Sequence, residues 1–108
     1  MRFTFILEKK DRYGKFKQIG KISKEENYIY LIQKNKMFFP LLSEFELIDQ
    51  DAFGPSFMPQ LIKELKMVIV QLDNLDDIKH LEEVIKMAKT CQNNEDMVLI
   101  STPFGDYW

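Results

Sequence analysis

The side chains best suited to chemistry in this sequence are one histidine, one cysteine and a large set of acids. His80 and Cys91 are each the only residue of their kind, and they lie eleven positions apart in a segment with helical periodicity. Because eleven residues of a straight helix span three turns, the two side chains cannot meet as base and nucleophile. Asp76 and Asp77 precede His80 by four and three positions, which predicts a surface ion pair for His80 rather than catalysis.

The sequence has no motif for a metal, a nucleotide or a phosphate group. One His and one Cys do not supply the three or four ligands of a zinc site, and the acids at 49–51 and 73–77 lack the spacing of a calcium loop. The four glycines are scattered, so no phosphate-binding loop is predicted. We therefore predict no catalytic residues, no metal ligands and no cofactor. A carboxylate-based hydrolase stays open as an alternative, because paired acids alone can hydrolyse some substrates.

Charge is distributed unevenly along the chain. Residues 1–40 carry ten Lys or Arg and four Asp or Glu, a formal charge of +6, whereas residues 41–108 carry five Lys and thirteen Asp or Glu, a formal charge of −8. This asymmetry indicates either an acidic face for a basic partner or two halves that are separately solvated. The early basic residues do not follow the interleaved aromatic and basic pattern of RNA-binding proteins, so we predict no nucleic-acid partner.

Length and composition favour one domain over residues 1–108, with 45% apolar and 30% charged residues. The lone cysteine excludes an intrachain disulfide and favours a reducing compartment. The first apolar stretch alternates and stops at Glu8, and no run approaches the length of a membrane span. We therefore predict a cytoplasmic protein that has no membrane partner.

Alternation of apolar and polar residues predicts strands near both ends of the chain. Residues 2–8 and 15–22 predict an antiparallel hairpin across a polar turn. Residues 43–49 alternate in the same way and predict a short third strand, whereas residues 49–57 contain Gly-Pro and predict a loop. Residues 97–102 predict a final strand that is ended by a proline.

Helical spacing predicts three helices. Ser23 and Glu26 match a capping box that opens a first helix over residues 24–35. Apolar stripes predict a second helix over residues 59–72 and a third that starts near Asp76, joined closely enough to form an antiparallel pair. The order of elements predicts an α+β fold, in which an antiparallel sheet of three to four strands carries about three helices on one face.

Acidic and aromatic side chains supply the surface that a partner would meet. We expect acids to steer association with a basic partner, and aromatic side chains to anchor the contact. The candidate partner-binding residues are Glu44, Glu46, Asp49, Asp51, Phe53, Asp73, Asp76, Asp77, Tyr107 and Trp108. Two of these have a structural alternative: Phe53, with Phe57, as a core residue, and Trp108, with Phe104, as a cap on the core.

Residues 44–106 resemble small bacterial immunity proteins. The resemblance is carried by EFELIDQDAFG, by the helix start MPQLIKEL, by a second acidic helix and by MVLISTPFGD. It implies a non-catalytic antitoxin that binds and neutralises a cognate toxin of contact-dependent growth inhibition, frequently a nuclease with a basic active site. In such proteins an acid usually follows the loop glycine, whereas Pro55 follows Gly54 here, and Tyr107-Trp108 lies outside the pattern. A structural or regulatory subunit, including a homodimer through an exposed strand edge, is the other alternative.

Overall fold

Four strands form one antiparallel sheet. The computed structural model describes all 108 residues. The strands are β1 (Thr4–Lys10), β2 (Phe16–Ser23), β3 (Asp51–Phe53) and β4 (Met97–Thr102). Their spatial order is β2-β1-β4-β3, and every neighbouring pair is antiparallel. The predicted α+β class with a small antiparallel sheet is therefore confirmed.

Three α-helices accompany the sheet: α1 (Tyr28–Leu31), α2 (Met58–Val70) and α3 (Leu75–Gln92). The long helices α2 and α3 follow the predicted apolar stripes within two residues at their starts, and a four-residue connection joins them. Their inward residues join the aromatic side chains of β1 in one core of 21 buried residues. No helix combines the length and the hydrophobicity that crossing a membrane requires.

The first strand is buried on both faces. Phe5 and Leu7 face the helices and belong to the main core. Thr4 and Ile6, which alternate with them, are also fully buried. The chain after β4 covers this second face: Gly105 lies so close to Thr4 that a Cβ there would overlap the threonine side chain. The alternation therefore predicts strand β1 but not the burial of its second face.

The prediction of a first helix over residues 24–35 is wrong, because only the single turn of α1 is helical. Ser23 belongs to β2, Glu26 has a positive φ of 63°, and the capping box does not form. The Asn27 side chain bonds the backbone of Phe3 instead: the Phe3 N–H donates to Oδ1 at 2.6 Å, and Nδ2 donates to the Phe3 carbonyl at 2.7 Å. These tertiary hydrogen bonds compete with the local helix and leave only α1.

The third strand forms in the predicted loop rather than over residues 43–49. A 3-10 helix occupies Leu42–Glu44, and extended chain follows it. Strand β3 pairs Asp51 with Ser101 and Phe53 with Leu99 on β4. A strand of three residues is too short to show alternation, so its hydrogen bonds with β4, rather than its sequence, define it.

A buried carboxylate fixes the connection between α1 and β3. Glu64, on α2, is fully buried. It accepts hydrogen bonds from the N–H groups of Leu41 and Leu42, at 3.0 and 2.9 Å, and from Nε2 of Gln60 at 2.9 Å. The backbone N–H groups at the start of a helix lack partners within it, so Glu64 caps this 3-10 helix from a different element.

We expect Glu64→Ala to lower the free energy of unfolding by about 3 kcal/mol, because two buried N–H groups lose a charged acceptor. Glu64→Gln keeps one acceptor oxygen and should lose less. Urea unfolding measures both variants, with the exposed Glu82→Ala on α3 as the control. Equal losses for Glu64→Ala and Glu82→Ala would contradict the capping role.

Candidate protein-binding surface

Four acids lie on the segment that runs from the 3-10 helix into β3. Glu44 ends that helix, Glu46 and Asp49 lie in the connection, and Asp51 opens the strand. We call these four residues the acidic rim. Partial burial raises the pKa of the Asp51 carboxyl above its usual value, and the charges of Asp49, Glu44 and Glu46 raise that pKa further. The four carboxylates are therefore close enough to repel one another.

Aromatic packing holds the acidic rim in place from beneath. The Phe45 ring is buried, with its centroid 5.3 Å from that of Phe3 and 6.1 Å from that of Phe53. Glu44 ends the 3-10 helix and Glu46 follows Phe45 in extended chain, and both acids are exposed on either side of the buried ring. Burial of Phe45 thus leaves the two neighbouring charges at the surface.

Phe53 is a core residue, which corrects its prediction as a contact for a partner. Its side chain is only 8% exposed, and its ring stacks against Phe45 and meets Phe57 edge-on at 6.0 Å. Phe53 shares the inward face of β3 with the partly buried Asp51, whereas Ala52 between them is exposed on the other face. Phe57 keeps about half of its surface exposed. Phe53 therefore supports the acidic rim and does not present a surface of its own.

The acidic rim has no cation from within the chain. Elsewhere, Arg2 pairs with Glu25 and Asp106, and Lys24 pairs with Asp77 at 2.6 Å. No Lys, Arg or His nitrogen lies within 4.0 Å of a carboxylate of the acidic rim. Four negative charges are thus left for solvent or for a basic partner.

Ile48 is a rim residue that is absent from the sequence-based candidates. Its side chain is 81% exposed and lies among the charges of the acidic rim. In the sequence, the alternation of Glu44 and Glu46 with Phe45 and Leu47 continues to Ile48, whereas in the structure the chain turns at residues 47–48. An exposed aliphatic side chain among charges supplies the apolar contact that charges alone lack.

The second group of predicted acids lies at the start of α3, at the opposite edge of the sheet. Asn74 caps this helix: its Oδ1 accepts hydrogen bonds from the N–H groups of Asp76 and Asp77 at 2.9 and 3.1 Å. Acids in a first turn also interact favourably with the helix dipole. Asp77 bonds Lys24, which directly follows β2, whereas the acidic rim adjoins β3. Asp73 is exposed just before this cap.

The predicted tail residues divide between covering the sheet and facing solvent. Lys21 donates to the main-chain oxygens of Gly105 and Trp108 at 3.0 and 3.3 Å, which holds the tail against the sheet. The Trp108 side chain is 40% exposed, whereas Tyr107 is 89% exposed. The tail therefore caps the second face of the sheet and still leaves Tyr107 available for a contact.

His80 is buried, so the predicted surface ion pair is wrong. Its side chain is 5% exposed, and Nε2 lies 3.3 Å from Nδ2 of Asn27. The Phe3 N–H fixes the orientation of the Asn27 amide, so Nδ2 must donate and Nε2 must accept. Burial first, and then the charge of Lys24, lowers the pKa of His80, although Glu83 and Asp77 act in the opposite direction. The ring is a neutral structural acceptor.

The cavity nearest to the acidic rim has a volume of about 210 Å³. Its lining residues are Met1, Arg2, Glu25, Leu47, Pro103, Gly105 and Asp106. Both of its carboxylates are already paired with Arg2. No three His, Cys, Asp or Glu side chains of the chain are grouped to hold a metal ion.

Comparison with protein-family models, curated proteins and solved structures gives no match to this chain. The resemblance to immunity proteins therefore stays a prediction, and the geometry of the acidic rim is what carries the functional argument.

We expect Asp51→Asn to raise the melting temperature at pH 7 by about 2 °C, because the charged carboxylate costs stability where its folded-state pKa is raised. The gain should vanish as pH falls below about 4, where the carboxyl is protonated in both states. Thermal unfolding at several pH values measures this, and the exposed Asp73→Asn makes the same charge change as a control. A gain of equal size for Asp73→Asn would contradict repulsion within the rim.

The contribution of His80 to stability should depend on pH in the opposite sense to that of Asp51. Because its folded-state pKa is lowered, the unfolded chain binds a proton first, and stability should fall as the pH drops below about 6.5. One proton gives a slope of at most about 1.4 kcal/mol per pH unit. Urea unfolding between pH 7 and pH 5 should show the wild type losing more stability than His80→Gln. Parallel profiles would show that His80 does not titrate in this window.

Proposed function

We propose that this chain is a non-catalytic immunity protein that binds a cognate bacterial toxin in the cytoplasm and neutralises it. The acidic rim would cover a basic surface of the toxin, such as the phosphate-binding active site of a nuclease. The observation that supports this most directly is the set of four carboxylates that buried aromatic rings position and that no cation of the chain neutralises.

The mechanism needs no catalytic residue. Charge complementarity accelerates association, because a concentrated negative field attracts a basic partner before contact. Burial first, and then the charges of Asp49, Glu44 and Glu46, raise the pKa of Asp51, and cations of a bound partner would offset the second of these causes. Ile48 adds an apolar contact at the centre, and burial of such side chains commonly carries the affinity that surface charges do not.

No observation favours the hydrolase alternative. A carboxylate enzyme needs two acids in a cavity with different pKa values. Asp51, whose carboxyl has a raised pKa, lines none of the cavities. The homodimer alternative would use the open edge of β2. This edge carries Lys17 and Lys21, whose charges oppose the pairing of two identical strands.

The test begins with co-expression and pull-down from the source strain, which isolates the partner that binds one to one. We expect its association rate to fall about tenfold or more as ionic strength rises from about 0.02 to about 0.5 M, because salt screens the rim charges. Dissociation should change much less. Combining Glu44→Gln, Glu46→Gln and Asp49→Asn should slow association at low salt and weaken the salt dependence, as stopped-flow mixing would measure.

The matched control removes two Glu and one Asp elsewhere, at the exposed Glu82, Glu95 and Asp96, which are not candidate partner-binding residues. This variant should associate at nearly the wild-type rate. A partner that proves to be a toxin encoded beside this gene, and whose toxicity the wild type suppresses better than the rim variant does, would support the immunity role. An association rate indifferent to salt and to the rim would contradict the proposed surface.

A further inference from the structure

The outer face of the helix pair carries a groove that the proposed function does not use. The groove lies between α2 and α3 and has a volume of about 390 Å³. Its floor is formed by Ile69, Ile78 and Ile85, and its charged residues are Lys66, Lys86, Lys89 and Glu82. A depression of about 440 Å³ adjoins it along α2 and shares Lys66. Its lining residues are Pro59, Ile62, Lys63, Lys66, Met67 and Val70.

The apolar surface of α2 extends further than the core requires. Leu61, Leu65 and Val68 are fully buried beneath the helix. The stripe nevertheless continues around the helix to Ile69, which packs against the core and stays partly exposed, and to Val70, which is 86% exposed. Apolar surface of α2 therefore remains exposed at these two residues after the core has formed.

Lysines outnumber acids beside this groove, where Glu82 is the one lining acid, and the lysines are unpaired. Lys63, Lys66, Lys86 and Lys89 are exposed, and none of them forms an ion pair with a carboxylate. Lys66, Lys86 and Lys89 line the groove together with the isoleucines, and Lys63 lies with Lys66 in the adjoining depression. Lysines of both helices therefore flank the apolar floor.

We propose that this groove docks an acidic amphipathic helix of a partner protein. The concave space between two packed helices accepts the ridge of side chains that a third helix presents. Apolar residues of the partner helix would lie on the isoleucine floor, and its carboxylates would lie beside the four lysines. The opposite charge of the acidic rim makes this second surface selective for a different partner segment. The proposal stands whether or not the acidic rim binds a toxin.

The probe for this surface is a synthetic amphipathic peptide of about 16 residues, roughly four helical turns, with Leu on one face and Glu on the other. One matched peptide replaces every Glu with Lys, and a second has the same composition in scrambled order. We expect the acidic amphipathic peptide to bind at least about tenfold more tightly than either matched peptide. It alone presents both an apolar face for the isoleucine floor and carboxylates for the lysines. Fluorescence anisotropy gives the affinities, and methyl NMR shifts should locate the contact at Ile69, Ile78 and Ile85.

Two double variants make the test specific to the groove. Lys66→Glu with Lys86→Glu should weaken binding of the acidic peptide by about tenfold or more. Lys15→Glu with Lys17→Glu, which makes the same charge change at the hairpin, should leave binding within about twofold. The triple rim variant should also bind the peptide normally. A failure of the groove to bind the peptide can therefore be distinguished from a failure of the acidic rim to bind its partner. Urea unfolding checks that each variant is folded.

Three outcomes would overturn the proposal. Equal binding of the scrambled acidic peptide would reduce the effect to nonspecific charge attraction. Lysine-dependent binding to vesicles of phosphatidylserine and phosphatidylcholine, without selectivity among the peptides, would assign the face to a membrane surface instead. Concentration-dependent self-association that Lys66→Glu with Lys86→Glu abolishes would assign it to a second copy of this chain.

Discussion

A carboxylate that is removed from water needs hydrogen-bond donors, and Glu64 finds two of its donors in the backbone of a connection that has little regular structure. Its bonds to Leu41 and Leu42 fix the start of the 3-10 helix, which in turn brings Phe45 into contact with Phe3 and Phe53. Burial of Phe45 then leaves the adjacent acids at the surface. A single buried acid on α2 thus positions the exposed acids of the rim, although it lies outside the surface itself.

The parts that the sequence predicts correctly are those in which local pattern and tertiary packing agree. Helices α2 and α3 and strand β4 have long or clear apolar periods, and they form within two residues of their predicted starts. The first helix fails because Asn27 bonds the backbone of Phe3, a residue 24 positions away. The sequence predicts the four acids of the rim as one group. It also predicts Asp77 as a partner contact, but Asp77 lies in the capped first turn of α3 and pairs with Lys24, which only the fold reveals. His80 was misassigned because its nearest acids in sequence are not its nearest partners in space.

The helices and the β3 side of the sheet present surfaces of opposite character. The acidic rim is an exposed segment held by aromatic rings, and the exposed Ile48 lies between two of its acids in the sequence. The helix pair presents a concave apolar floor beside lysines. A net charge of −2 conceals this division, because the positive and negative regions nearly cancel in the total. A small chain with two such surfaces is able to contact two chemically different segments of one assembly without competition between them.

The position of β1 in the sheet also has a consequence for the order of folding. Its ladder with β2 is local, whereas its ladder with β4 joins residues that are about ninety positions apart, from Thr4 with Thr102 to Lys9 with Met97. Closing so large a loop costs chain entropy before any long-range contact is gained. The hairpin can therefore form early, but the centre of the sheet is completed only when β4 docks. Synthesis on the ribosome proceeds from β1 towards β4, so the aromatic core waits for the last strand before it is sealed from water.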